Sequence, residues 1–248
     1  MNSTAERKRR NKSYVLRSGR MTKLQKRALE ELLPEYGIAV SEEKIEPAEV
    51  FPVRRPVILE IGFGMGEATV ELADGHRDYN FIGIEVYPKG VGKVLDEIRR
   101  RGLDNLRVIH HDAVPVVETM FPEGSLEGVH IFFPDPWPKK KHHKRRLINR
   151  RFASLLAEKI RRGGYIYVVT DWEDYAFSIV DTLDCVPELV NAYEVFAPSR
   201  PWRPKTSFEQ KGIGKDHLIR EILFEKRSSS EDTRDQLEEN RPTRVLHL

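Results

Sequence analysis

The 248-residue chain is 39% hydrophobic and 33% charged, which suits one α/β domain with an ample core, and its net charge is only +3. No run approaches the roughly 20 apolar residues of a membrane span. The N-terminus is basic rather than apolar as a signal peptide would be, and the single cysteine, Cys185, excludes a disulfide framework or a cysteine-rich zinc site within the chain. A cytoplasmic protein is expected, with Cys185 a free, packed thiol.

In chain order, residues 1–27 hold ten Lys or Arg against one acid, Glu6, and are expected to form a flexible basic arm. ALEELL (28–33) predicts a short helix ended by Pro34. SEEKIEPAEVFPVRR (41–55), with Pro47 and Pro52, reads as a linker. Strands are predicted at VILEI (57–61), FIGIE (81–85), LRVIH (106–110), GVHIFF (128–133) and GYIYVVT (164–170). Helices are predicted at 66–75, 88–101, 147–160 and from Glu173 to Leu183, the second of them by Val91, Val94, Leu95 and Ile98 at helical spacing. Two late strands, 191–197 and 217–225, have no helix between them and predict an antiparallel hairpin at a sheet edge.

Strands that are apolar along their length and alternate with helices indicate a parallel sheet covered on both faces. The crossovers should be right-handed. The expected organisation is the basic arm, one folded domain over 28–227, and a disordered tail over 228–248 that begins with three serines.

Four motifs carry chemistry. LEIGFGMGE (59–67) places Gly62, Gly64 and Gly66 where a strand gives way to a helix, so the backbone can turn tightly and a ligand can approach it. The spacing is G-x-G-x-G, one residue short of the dinucleotide fingerprint, which favours a nucleoside without a pyrophosphate and disfavours a nicotinamide-dependent oxidoreductase. Glu85 ends the second predicted strand, where a carboxylate can accept ribose hydroxyls. Asp112, after the third, can accept a bond from an adenine amino group.

The fourth motif, IFFPDPWPKKKHHKRR (131–146), has a proline-stiffened loop around Asp135 and Trp137 and then a basic run. Stiffness lowers the entropy cost of holding a base in place. Residues 139–151 carry eight Lys or Arg and no acid, so Lys140, Lys141, Lys144, Arg145 and Arg146 are candidates for phosphate contact. Two basic zones on an otherwise acidic chain suggest a polyanionic partner, although the arm alone is read equally well as a solvated tail. His142 and His143 read as neighbours of the basic cluster rather than metal ligands, and no metal site is expected. Trp137, Trp172 and Phe208 are candidates for stacking on an exposed base, each with a core role as its alternative.

The three strand ends with their glycines, Glu85 and Asp112 resemble those of the class I S-adenosylmethionine-dependent methyltransferases. That resemblance implies a Rossmann-like α/β fold with a mostly parallel seven-stranded sheet. It places Glu60 and the Gly62–Gly66 turn near the methionine part of the cofactor, Glu85 near the ribose and Asp112 near the adenine. PDPWPKKKHHKRR, together with TDWEDYA (170–176) and RPKTSFEQKG (203–212), is similar to the signature of the tRNA (guanine-N7-)-methyltransferases, called TrmB in bacteria, and the similarity runs from about residue 57 to 225.

The family resemblance implies methyl transfer to N7 of a tRNA guanine, at position 46 of the variable loop, by a monomer or homodimer without an obligatory protein partner. It points to Asp135 as the catalytic carboxylate, also in reach of the cofactor, and to Lys139, Asp171, Thr206, Ser207, Phe208 and Glu209 as substrate-binding residues. A methyltransferase of the same fold acting on another target, and an RNA-binding protein without activity, remain as alternatives.

Overall fold

The computed structural model describes residues 12–15, 19–204, 209 and 218–228. Thr206, Ser207, Phe208 and the tail from 229 on lie outside the described residues.

Seven strands form one sheet: β1 (Val57–Ile61), β2 (Asn80–Ile84), β3 (Leu106–Ile109), β4 (Leu126–Phe132), β5 (Ile160–Thr170), β6 (Leu189–Asn191) and β7 (Arg220–Lys226). Their spatial order is β3-β2-β1-β4-β5-β7-β6. The first five run parallel, and β7 is antiparallel to both β5 and β6. This is the mostly parallel sheet that the apolar runs predict.

Six helices alternate with the strands: α1 (Lys23–Tyr36), α2 (Glu67–Gly75), α3 (Pro88–Arg101), α4 (Ala113–Met120), α5 (Arg150–Lys159) and α6 (Glu173–Asp184). Successive strand residues point to opposite faces, and the two cores follow from that. Leu59 and Ile61 bury against α4, α5 and α6, while Ile58 buries against α1, α2 and α3. Each such fully buried side chain contributes roughly 1.5–3 kcal/mol.

Four local predictions need correction. The first helix is longer than 28–33: it begins at Lys23, inside the predicted arm, and runs through Pro34. Thr22 and Gln25 form a capping box at its start, a T-x-x-Q signal present in the sequence. Pro34 lies in the last turn, where its missing N–H costs a single bond. Helix α1 rests on α3 at Gly92, where a Cβ would stand 2.6 Å from the Gln25 carbonyl oxygen.

Helix α4 went unpredicted because eight residues containing Pro115 show little periodicity; its N-cap is Asp112. The late antiparallel pair forms at the sheet edge as expected, with β7 beside β5 and β6 outermost. Strand β6 is also shorter than predicted: Asn191 turns the chain by accepting from the Tyr193 amide and donating to the Val195 carbonyl. Cys185 is exposed rather than packed, at the C-cap of α6.

Candidate active site

β1 and β4 are neighbours at the point where strand order reverses, and open α/β sheets bind ligands beyond the carboxyl ends of strands at such a point. The turn of residues 62–66 leaves β1 there, and the loop of residues 134–138 leaves β4 beside it.

In the turn, Gly62, Gly64 and Gly66 have φ of 77°, 58° and 71°, a region that costs other residues about 1–2 kcal/mol. A side chain at Gly62 or Gly64 would meet nothing within 4 Å, so both glycines border open space. Gly66 differs: a Cβ there would lie 2.0 Å from Val94 Cγ2 on α3. Gly90 of α3 makes room for the turn from below, since its Cβ would fall 1.7 Å from the Gly64 carbonyl oxygen.

Glu85 stands directly after β2, 8% exposed. Its Oε2 accepts the Gly64 amide at 2.7 Å, and its Oε1 accepts those of Val86 and Tyr87 at 2.6 and 2.9 Å. Burial raises its pKa, and the three amides work in the opposite direction. A carboxylate offers about four acceptor positions, so three backbone bonds orient the group and leave capacity for a ligand hydroxyl.

Glu60 on β1 is 2% exposed, and its Oε2 is buried without a hydrogen-bond partner. Burial pushes its carboxyl up to about 8; Thr69 opposes the shift and Glu85 adds to it. An orphaned buried carboxylate oxygen calls for a partner that the protein alone does not supply.

A hollow of about 490 Å³ opens beside Val86, His110, His111, Asp112 and Pro115, within the usual size of a small-ligand pocket. Asp112 does two things here: it lines the hollow, and its Oδ1 caps α4 by accepting the Val114 amide at 3.1 Å. Lys12 and Tyr14 of the N-terminal arm line the same hollow. Backbone carbonyls hold this stretch of the arm in place. Trp137 Nε1 donates to the Ser13 carbonyl at 3.1 Å, and Arg145 donates to those of Lys12 and Tyr14 at 3.0 and 3.3 Å.

The loop after β4 is held under strain. Phe133 and Trp137, on either side of Asp135, have φ of 48° and 46°. Such conformations cost on the order of 1–3 kcal/mol each and persist only where the surroundings enforce them. The Phe133 amide donates to the Val169 carbonyl at 2.7 Å. The Arg145 guanidinium lies 3.6 Å from the Trp137 ring centroid. Asp135 is exposed, as are Lys139, Lys140, Lys141 and Lys144.

A family model described as "Putative methyltransferase" matches residues 54–222. A tRNA (guanine-N(7)-)-methyltransferase of Nitrosomonas eutropha is 49% identical over 215 residues, 87% of this chain and 96% of its own. One from Dechloromonas aromatica is 46% identical over 87% of this chain and 88% of its own.

The chain belongs to the tRNA (guanine-N7-)-methyltransferase family.

Among solved structures, the 16S rRNA methyltransferase KamB superposes with a TM-score of 0.52 at 14% identity, over 69% of this chain and 88% of its own. An adenine-N1 16S rRNA methyltransferase from Catenulisporales acidiphilia with cosubstrate SAM gives 0.50 at 12% identity, over 72% and 88%. These likenesses share the fold.

In this member of the guanine-N7 methyltransferase family the predicted residues divide by environment. Gly64 and Glu85 are hydrogen-bonded to each other, Glu60 is buried within electrostatic reach of Glu85, and Asp112 borders the hollow that Val86, not predicted, also lines. Asp171, at the end of β5, is half-buried. Trp172 is half-buried against the core, which favours its structural role over stacking.

Three predicted contacts are engaged elsewhere. Arg145, expected on phosphates, instead lies over Trp137 and bonds the Lys12 and Tyr14 carbonyls. Arg146, expected on phosphates, is buried: its Nε donates to the Pro136 carbonyl at 3.0 Å and its Nη2 to the Asp174 carboxylate. Glu209, expected to accept from guanine, is 4% exposed and takes a two-pronged bond from Arg203 at 2.6 and 2.9 Å. Arg203 also donates to Glu221, which accepts the Tyr167 hydroxyl. Sequence reasoning missed Lys12, Ser13 and Tyr14 because their contacts run largely through main-chain carbonyls, which every residue carries.

Proposed function

We propose that this chain transfers a methyl group from S-adenosylmethionine to N7 of a guanine in tRNA, with Asp135 as the residue that orients and electrostatically stabilises the reacting base. The observation that carries this reading is the adjacency of two strand ends. One bears the glycine turn with Glu60, its buried oxygen unmatched, and the other bears Asp135 in a strained loop followed by exposed lysines.

The residues fit the cofactor. Glu60 would accept from the ammonium of its methionine part, a positive partner that would favour the charged form of a carboxyl that burial otherwise keeps protonated. The open faces of Gly62 and Gly64 leave room for a close approach, and Gly66 keeps the turn down on α3. Glu85 would take a ribose hydroxyl, and Asp112 would border the adenine. When bound, S-adenosylmethionine supplies a methyl group made electrophilic by its sulfonium.

Guanine N7 carries an in-plane lone pair and no proton, so no strong general base is needed. The protein's task is to align the base and exclude water, effects that can supply roughly 7–11 kcal/mol. Asp135 accepts from guanine N1–H and the exocyclic amino group, and its charge balances the positive charge that develops on the purine. Asp171 and Lys139 complete the base and phosphate contacts, and Thr206, Ser207 and Phe208 belong to the same substrate set. The target at position 46 of the variable loop, a monomeric or homodimeric state, and a cytoplasmic location are part of the reading. Among the described residues no helix is long and apolar enough to cross a membrane.

The test is direct. Unmodified tRNA incubated with the enzyme and S-adenosylmethionine, digested to nucleosides and analysed by mass spectrometry, should gain 7-methylguanosine. Cofactor binding by titration calorimetry without any methylated nucleoside would overturn the reading.

A further inference from the structure

The run KKKHHKRR reads as one uniform basic patch, yet its last residue is the one that the fold buries. The Arg146 side chain is only 7% exposed, whereas the four lysines are exposed. Its guanidinium touches three separate segments. Nε bonds the Pro136 carbonyl, one residue beyond Asp135. Nη2 bonds the carboxylate of Asp174, in the first turn of α6 and three residues beyond Asp171. Nη2 also lies 3.2 Å from His143 Nε2, and the group sits 4.7 Å from the Tyr175 ring centroid. Tyr175 is itself fixed, because it is fully buried and its hydroxyl accepts the Ile148 amide at 3.2 Å.

These contacts are incompatible with gripping RNA. A buried guanidinium could reach a phosphate only by abandoning Asp174 and the Pro136 carbonyl, the contacts that hold the loop to α6. The loop it holds also needs holding: Phe133 and Trp137 are both left-handed, and a loop in that state relaxes unless it is restrained.

We infer that Arg146 is a positioning residue that clamps the Asp135 loop to the start of α6, so that Asp135 and Asp171 keep a fixed spacing, and that it makes no contact with RNA. The inference rests on the methyl-transfer reading above and adds to it the device that sets the geometry. Displacing a reacting group by about 1 Å costs on the order of 100-fold in rate. A lysine keeps the charge but lacks the fork that serves two acceptors in different directions.

The test uses R146K, D174N and the double variant in the full-length enzyme. It measures single-turnover methylation at saturating tRNA and cofactor, the affinity for each, the salt dependence of tRNA binding, and the melting temperature. R146K should lower the saturated rate by about 30- to 100-fold. Cofactor affinity and the salt slope should stay within experimental error of wild type. D174N should move the rate in the same direction, and the double variant should be no slower than R146K, because both changes break one linkage.

A reduced salt slope with the saturated rate intact would make Arg146 a phosphate contact and overturn the inference. So would an unchanged rate in D174N, or effects of the two variants that multiply. If R146K fails to fold, D174N decides, since the Asp174 side chain is 65% exposed and its replacement leaves the core intact. Wild-type protein that methylates no tRNA would instead overturn the functional reading itself.

Discussion

The two halves of the site are built on different principles. The nucleoside half, residues 60 to 112, is fixed by main-chain groups: three backbone amides grip Glu85, and the glycine turn is seated on α3. Among the described residues, the loop after β4 has a single main-chain anchor of this kind, the Phe133 amide on the Val169 carbonyl. It is held in strained conformations by side chains arriving from elsewhere, with Arg145 on Trp137 and Arg146 under Pro136. A cofactor that is the same in every turnover suits a fixed cradle, whereas a base delivered by a large RNA must be met by an exposed loop, and rigidity there has to come from beneath.

The sharpest way to break this comparison is at Asp135. In Asp135→Ala, single-turnover methylation should fall by about 10³-fold, with cofactor affinity measured by calorimetry nearly unchanged. Equal losses in both would mean the two halves do not divide the work. Next in size is the triple change of Lys140, Lys141 and Lys144 to Ala. It should weaken tRNA binding by about 100-fold at moderate salt and flatten the log–log salt dependence by about 2.7 units, since each of the three lost phosphate contacts removes about 0.9. A preserved slope would move the RNA footprint off this run.

A smaller effect is expected for Glu85→Gln, which leaves the shape but removes the charge that the amides and a ribose share. Cofactor affinity should drop by about tenfold, worth roughly 1.4 kcal/mol, with the saturated rate intact.

A last effect is read on the stability of the cofactor-free protein. Glu60 keeps its proton to about pH 8 in the folded chain, against an ordinary value of 4.5. Between those values the folded state binds more protons than the unfolded one, so stability declines as pH rises through the window and levels off above it. Glu60→Gln should remove that component. Urea melts of cofactor-free protein at pH 6 and 8 should therefore differ less in the variant, and an identical pH dependence would place the unmatched oxygen in water.

Much of the fold was legible because apolar strands and helical periodicity are local signals: six of the seven strands were found with small shifts of boundary, while β6 lies at Leu189–Asn191 rather than 191–197. Helix α4 was not, since Pro115 and its short length hide its period, and Thr22 with Gln25 was a readable cap that the basic composition of the arm obscured. In the site, Glu85, Asp112 and the glycines could be placed because strand ends converge by topology alone. Arg146 and Glu209 could not, because a sequence shows charge but not which charged groups the fold buries, and Arg203 supplies the partner for Glu209 from six residues away. Lys12 and Tyr14 left no trace in composition, because the arm is secured by bonds to its main chain.

The seating of Gly64 over Gly90 and of Gly66 under Val94 has a practical corollary for redesign. The glycine turn is a cast of the α3 surface, so it cannot be lowered without remoulding the helix beneath. Changes to smaller side chains at Val86 and Pro115, which line the neighbouring hollow beside Asp112, widen that hollow and leave the glycine turn in place.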